Sequence, residues 1–125
     1  MTGPAMITAA EYRASVAAAM SEDALLSQVR RLASDLGWLT YHTHDSRRSE
    51  SGFPDLVLIS TAQGRILFRE LKKMKGRVSA DQKAFLEALA AVGQDAAVWR
   101  PDDLVEERIL AELMPSTNRT GRTTP

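Results

Sequence analysis

The chain has 125 residues, 44% of them apolar, and a formal net charge of zero. That is the length of one domain with a modest core, and the absence of cysteine excludes disulfides, thiolate metal sites and a cysteine nucleophile. No run is long and apolar enough to span a bilayer, and the opening M-T-G-P-A-M lacks the basic end and apolar block of a secretion signal. A cytoplasmic setting, away from membranes, is therefore expected. Zero net charge conceals an uneven distribution: residues 42–77 hold eight Arg/Lys against four Asp/Glu, whereas residues 101–113 hold five acids and one arginine. A local basic field of this kind is what a phosphate backbone requires; ordinary solvated faces clustered by chance are the other reading.

Residues 8–20 predict a short first helix. Thr8 and Glu11 have the spacing of a capping box, and the interior is rich in alanine. Its apolar stripe is weak, which suits an accessory helix packing on a partner subunit. Ser21 is the expected N-cap of a stronger helix over 22–36, closed by Gly37, with Leu25, Leu26, Val29, Leu32, Ala33 and Leu36 at core spacing. Glu22 and Asp23 fall in its first turn, where acids favour the helix dipole. Residues 38–43, W-L-T-Y-H-T, predict a strand rich in aromatic and β-branched types. His42 and His44 share a face but have no third nitrogen or sulfur ligand for a transition metal, so a place near phosphate or plain edge-strand polarity suits them better. Residues 45–51 form a polar loop, in which Arg47 and Arg48 carry the planar fork that pairs with phosphate oxygens.

Residues 52–72 read G-F-P-D-L-V-L-I-S-T-A-Q-G-R-I-L-F-R-E-L-K. Apolar runs at 56–59 and 66–68 flank a short polar stretch ending in Gly64, which predicts a hairpin. Asp55 heads the first strand behind Pro54, a position that tolerates the missing N–H. Glu70 and Lys72 end the second strand and project from the same face. Antiparallel pairing sets the start of one strand beside the end of the other, so Asp55, Glu70 and Lys72 should meet at one end of the sheet. Two carboxylates there repel unless neutralised, and Mg²⁺ prefers such hard oxygen ligands. A lysine beside them can hold an attacking water or stabilise a phosphate in transit. A surface acid pair with one salt-bridging lysine is the alternative.

Beyond Lys72, the residues Lys73, Lys75 and Arg77 form a basic loop turning at Gly76. Ser79 and Gln82 make a second capping box ahead of a helix over 80–92, with Phe85, Leu86, Leu89 and Val92 as its expected buried face. A last core strand over 96–99 and an amphipathic helix over 101–113 follow. The tail, 114–125, has nothing to bury and is expected to be disordered. Periodicity alone gives a small α/β or α+β domain.

P-D followed by E-x-K resembles the signature of the PD-(D/E)xK nuclease superfamily. Within it, G-F-P-D-L at 52–56, E-L-K at 70–72, then Gly76, Ser79, Gln82 and Gly93 are similar to the VRR-NUC family, especially its small stand-alone proteins from bacteriophages and bacteria. The resemblance spans about residues 21–101. It implies an α/β fold: a restriction-endonuclease-like αβββαβ core, a small mixed sheet flanked by helices. The domain would occupy 21–113, behind an accessory helix over 1–20. It implies metal-dependent DNA endonuclease activity with Mg²⁺ or Mn²⁺, held by Asp55, Glu70 and the backbone carbonyl of Leu71. Glu22, matched by S-E-x-x-L-x-x-x-V, would act through a water or a second ion, with Asp23 its rival one residue out of register. Lys72 would orient the attacking water and help deprotonate it, and Gln82 would stand near the active centre. The implied products carry 5′-phosphate and 3′-hydroxyl ends. Arg47, Arg48, Lys73, Lys75 and Arg77 are the candidate DNA contacts. The resemblance further implies structure-selective cleavage, notably of Holliday junctions, in a bacterial cell or phage-infected host. A homodimer suits such a two-fold substrate, with the first and last helices as candidate interfaces. A nick, flap or other duplex endonuclease, a non-catalytic DNA-binding module, and an unrelated scaffold are the alternatives.

Overall fold

A computed structural model describes residues 6–43 and 51–115. His44, Arg47, Arg48 and most of the expected disordered tail lie outside the described residues. The chain runs α1 (Ala9–Ala19), α2 (Glu22–Asp35), β1 (Leu39–His42), β2 (Leu56–Ser60), β3 (Arg65–Leu71), α3 (Ala80–Ala91), β4 (Asp95–Trp99), α4 (Pro101–Val105) and α5 (Arg108–Leu113). The caps act locally as their residue types dictate. Thr8 and Glu11 close a capping box on α1, the Ser21 hydroxyl accepts from the Ala24 N–H, and Ser79 with Gln82 caps α3. Gly37 ends the α2 segment at a φ of 86°, which a side chain resists.

The four strands form one mixed sheet in the order β1-β2-β3-β4. The first three are antiparallel, and β4 returns parallel to β3 through α3, the crossover that parallel pairing needs. Strand alternation then sorts side chains onto two unlike faces. Leu56, Leu58, Leu67, Leu71 and Trp99 point to one, where Leu25, Val29 and Ala33 of α2 and Ile109 and Leu113 of α5 complete the core. The other face carries Tyr41, Val57 and Phe68 in one row and Leu39, Ile59 and Ile66 in the next. It is only partly covered: Leu39 is 68% and Tyr41 63% exposed. Among the described residues, no helix is long and apolar enough to cross a membrane.

Three expectations are corrected. The last helix is two helices, because Glu107 takes left-handed backbone (φ 65°) and turns the chain between α4 and α5. The turn lets α4 pack on α1 while α5 drops Ile109 and Leu113 into the core. The face assigned to α3 is not buried: Phe85, Leu86 and Leu89 are half-covered and Val92 is 72% exposed. This helix packs against β4, and Phe85 meets the Phe53 ring, but its outer face is left partly open among the described residues. Finally, Arg69 does not join the basic field. It is 2% exposed, lies over the Trp99 ring at 4.9 Å, and is ion-paired at 2.8 Å with both Asp95 and Glu112. A buried guanidinium persists only with such partners, and here it clamps β3, β4 and α5.

Candidate active site

One step past the paired Leu56 and Arg69, the β2–β3 ladder sets Asp55 beside Glu70 and Leu71. The backbone confirms the approach: the Leu71 N–H donates to Asp55 Oδ2 at 3.0 Å, and the Thr43 N–H donates to the Asp55 carbonyl at 3.1 Å. The structure thus brings Asp55, Glu70 and Lys72 to one end of the sheet, with Lys72 Nζ 3.4 Å from Glu70 Oε2. Gln82 arrives from above. Its Oε1 accepts the Ser79 N–H at 2.9 Å, closing the capping box, and its Nε2 donates to Glu70 Oε2 at 2.9 Å. One amide therefore serves both the helix and the site.

Ser51 and Gly52 fasten the approach to Asp55. The Ser51 hydroxyl donates to Asp81 Oδ2 at 2.7 Å. Gly52, at φ 97°, lies so close to α3 that a Cβ would stand 2.5 Å from the Asp81 carbonyl oxygen. Glycine here meets both a backbone and a space requirement.

Glu70 is the unusual group. It is 1% exposed, and among the described residues its Oε1 has no hydrogen-bond partner. Burial pushes its carboxyl up to about 8; the neighbouring Asp55 charge adds to this, while Lys72 opposes it. Buried oxygens without partners call for an explanation. A divalent cation would supply one, since the oxygen donors Asp55, Glu70 and the Leu71 carbonyl match hard-metal preference. Among the described residues no three His, Cys, Asp or Glu side chains form a closed cage. Two carboxylates, one carbonyl and waters are the open arrangement that Mg²⁺ tolerates.

A cavity of about 60 Å³, lined by Glu22, Asp23, Leu26, His42, Asp55 and Leu71, opens beside these groups. It admits water-sized groups. Glu22 and Asp23 both reach it from the start of α2, so it receives the two rivals together. His42, which pairs with Leu56 one step from Asp55, also lines it; counting back along the hairpin register is the signal that places it there. Lys73, Lys75 and Arg77 follow Lys72 on an exposed loop. Arg65, by contrast, stands at the far end of the hairpin over Trp38.

A four-stranded mixed sheet between helices, with two acids and a lysine gathered at a hairpin end, is the architecture of PD-(D/E)xK nuclease domains. Residues 7–103 match the VRR-NUC domain family, and the chain belongs to it. A solved structure described as a VRR_NUC domain is 25% identical, covers 73% of this chain and 97% of its own, and superposes with a TM-score of 0.54. No significant match was found among curated proteins. Membership gives the chain a nuclease-type, DNA-related function in a family that generally depends on a divalent metal.

The buried carboxyl sets a pH dependence. In metal-free protein between pH of about 4.5 and 8, folded Glu70 keeps a proton that the unfolded chain has released. Native protein then binds more protons than unfolded, so stability falls as pH rises through that window. Denaturant titrations in chelator should show this fall in wild type, and Glu70→Gln should remove its share. Identical pH dependence in the two proteins would contradict the assignment.

Proposed function

We propose that this chain is a Mg²⁺- or Mn²⁺-dependent DNA endonuclease, selective for branched DNA such as a Holliday junction. The observation that carries the reading is the buried Glu70 carboxyl, with one oxygen unpartnered among the described residues, between Asp55 and Lys72. Asp55, Glu70 and the Leu71 carbonyl would hold the ion, with Glu22 on the neighbouring cavity wall. When bound, a divalent ion polarises the scissile phosphate and offsets its developing charge.

The protein's own groups do the rest. Gln82 and Lys72 fix Glu70 Oε2 from two sides, which holds the carboxylate in one orientation. Lys72, 13% exposed in its side chain, keeps its ammonium at the mouth of the site. There it orients the water that attacks phosphorus as the bond to the 3′ oxygen breaks, giving 5′-phosphate and 3′-hydroxyl ends. Lys73, Lys75 and Arg77 contact flanking phosphates, a sequence-independent task. Arg47 and Arg48 are assigned the same task by residue type alone. A composition without cysteine suits the reducing cytoplasm of a bacterial or phage-infected cell.

We also propose a homodimer. The helices first considered as interfaces engage each other, since α1 packs on α4 and Arg13 pairs with Glu106 at 3.1 Å. The surface that supports dimerisation is the half-covered sheet face. Its β1–β2 rows, Leu39, Tyr41, Val57 and Ile59, carry no charge to attract phosphate. A second copy of the same flat apolar surface fits by two-fold symmetry.

Lys72→Ala should lower cleavage of a four-way junction by about 10²-fold or more, with Mn²⁺ and DNA binding retained; undiminished cleavage would overturn the role. Junction, flap, nicked and plain duplex substrates, run side by side, test selectivity, and equal rates on all four would remove it. Leu39→Glu should convert a dimer to monomer in sedimentation equilibrium, and an unchanged mass would refute this interface.

A further inference from the structure

The basic loop after Lys72 is held from beneath by a single side chain. Arg100 Nη1 donates to three backbone carbonyls of that loop, Lys73 at 2.8 Å, Met74 at 3.2 Å and Gly76 at 2.8 Å. The Gly76 N–H closes the same turn onto the Lys73 carbonyl at 3.0 Å. Three carbonyl dipoles converging on one point repel one another, and a cation at that point turns the repulsion into attraction. With its carbonyls drawn inward, the loop leaves Lys73, Lys75 and Arg77 exposed while Met74 and Gly76 are half-buried.

Arg100 is itself fixed. Its N–H donates to Asp103 Oδ2 at 2.8 Å, at the start of α4. It directly follows Trp99, whose carbonyl accepts the Lys72 N–H at 3.1 Å. The pin therefore runs from the rigid β3–β4 pair to the loop beside Lys72.

We propose that Arg100 is a positioning residue for DNA binding, holding the 73–77 loop in a shape that presents Lys73, Lys75 and Arg77 to phosphates before DNA arrives. This rests on the reading of that loop as a phosphate contact. An unpinned loop would be ordered only on binding, and that ordering weakens affinity. Arg100 acts through the loop, since its Nη1 hydrogens are shared among three carbonyls.

The test is a mutant cycle with a fluorescent four-way junction, in chelator so that nothing is cut. Arg100→Ala should weaken binding about three- to tenfold, the factor expected for ordering one or two long side chains. The slope of log K against log salt should stay as in wild type, because the same phosphates are engaged once the loop has ordered. In a Lys73→Ala/Lys75→Ala/Arg77→Ala background, the same change should have no further effect. Arg100→Lys, which keeps the cation and three donors, should bind between wild type and Arg100→Ala, and it carries the cycle if the alanine variant does not fold. Additive losses would overturn the proposal by showing that Arg100 meets DNA itself. A loop triple variant that binds weakly, with Arg100→Ala binding normally, would overturn it while leaving the loop reading intact. A triple variant that binds normally would overturn both.

Discussion

The carboxyl of Glu70 is almost wholly withdrawn from water, beside the Asp55 carboxylate, with only one of its oxygens bonded among the described residues. Ionising a carboxyl buried in this way is costly unless the charge is paired and hydrogen-bonded. Two features of the fold hold it there nonetheless. Strand β3 is interior to the sheet, flanked by β2 and β4, and the capping box of α3 delivers the Gln82 amide to Oε2. Asp55 is in turn kept at the neighbouring position by the Leu71 and Thr43 amides. The site is thus a local departure from stable packing, maintained by backbone bonds.

The two faces of the sheet divide the labour. One is sealed by α2 and α5 around leucines and Trp99, and the buried Arg69, bonded to Asp95 and Glu112, locks β3 and β4 to α5. Asp95 and Glu112 reach solvent while Arg69 does not, and without them its buried charge would be stranded, so this side resists deformation. Phosphate-directed chemistry needs such a rigid backing for its acids. The opposite face remains half open, and the proposed homodimer would cover it.

Much of this was legible in the residues. Hairpin turn signals, two capping boxes and the Gly37 stop are local, and local rules placed them within a residue or two. The meeting of Asp55, Glu70 and Lys72 followed from strand direction alone. What escaped was set by tertiary packing. Glu107 breaks an amphipathic pattern that reads as one helix, because α1 and the core make different demands on its two halves. The apolar stripe of α3 was read as buried, but spacing shows a face without saying whether anything covers it. Arg69 was counted into the basic field, since its ion-pair partners Asp95 and Glu112 lie 26 and 43 residues away in the chain. The matched family supports the class of protein, while individual roles rest on the geometry at the hairpin end.

The central claim is that the acid pair at Asp55 and Glu70 is completed by a divalent cation. Calorimetric titration of Mn²⁺ at pH 7, repeated in buffers of different ionisation enthalpy, counts the protons displaced on binding. The account predicts one binding event that releases about one proton, because metal and proton compete for the same buried carboxyl, and it predicts that Asp55→Asn abolishes the heat. Mn²⁺ binding that releases no proton, or that survives Asp55→Asn unchanged, would contradict it.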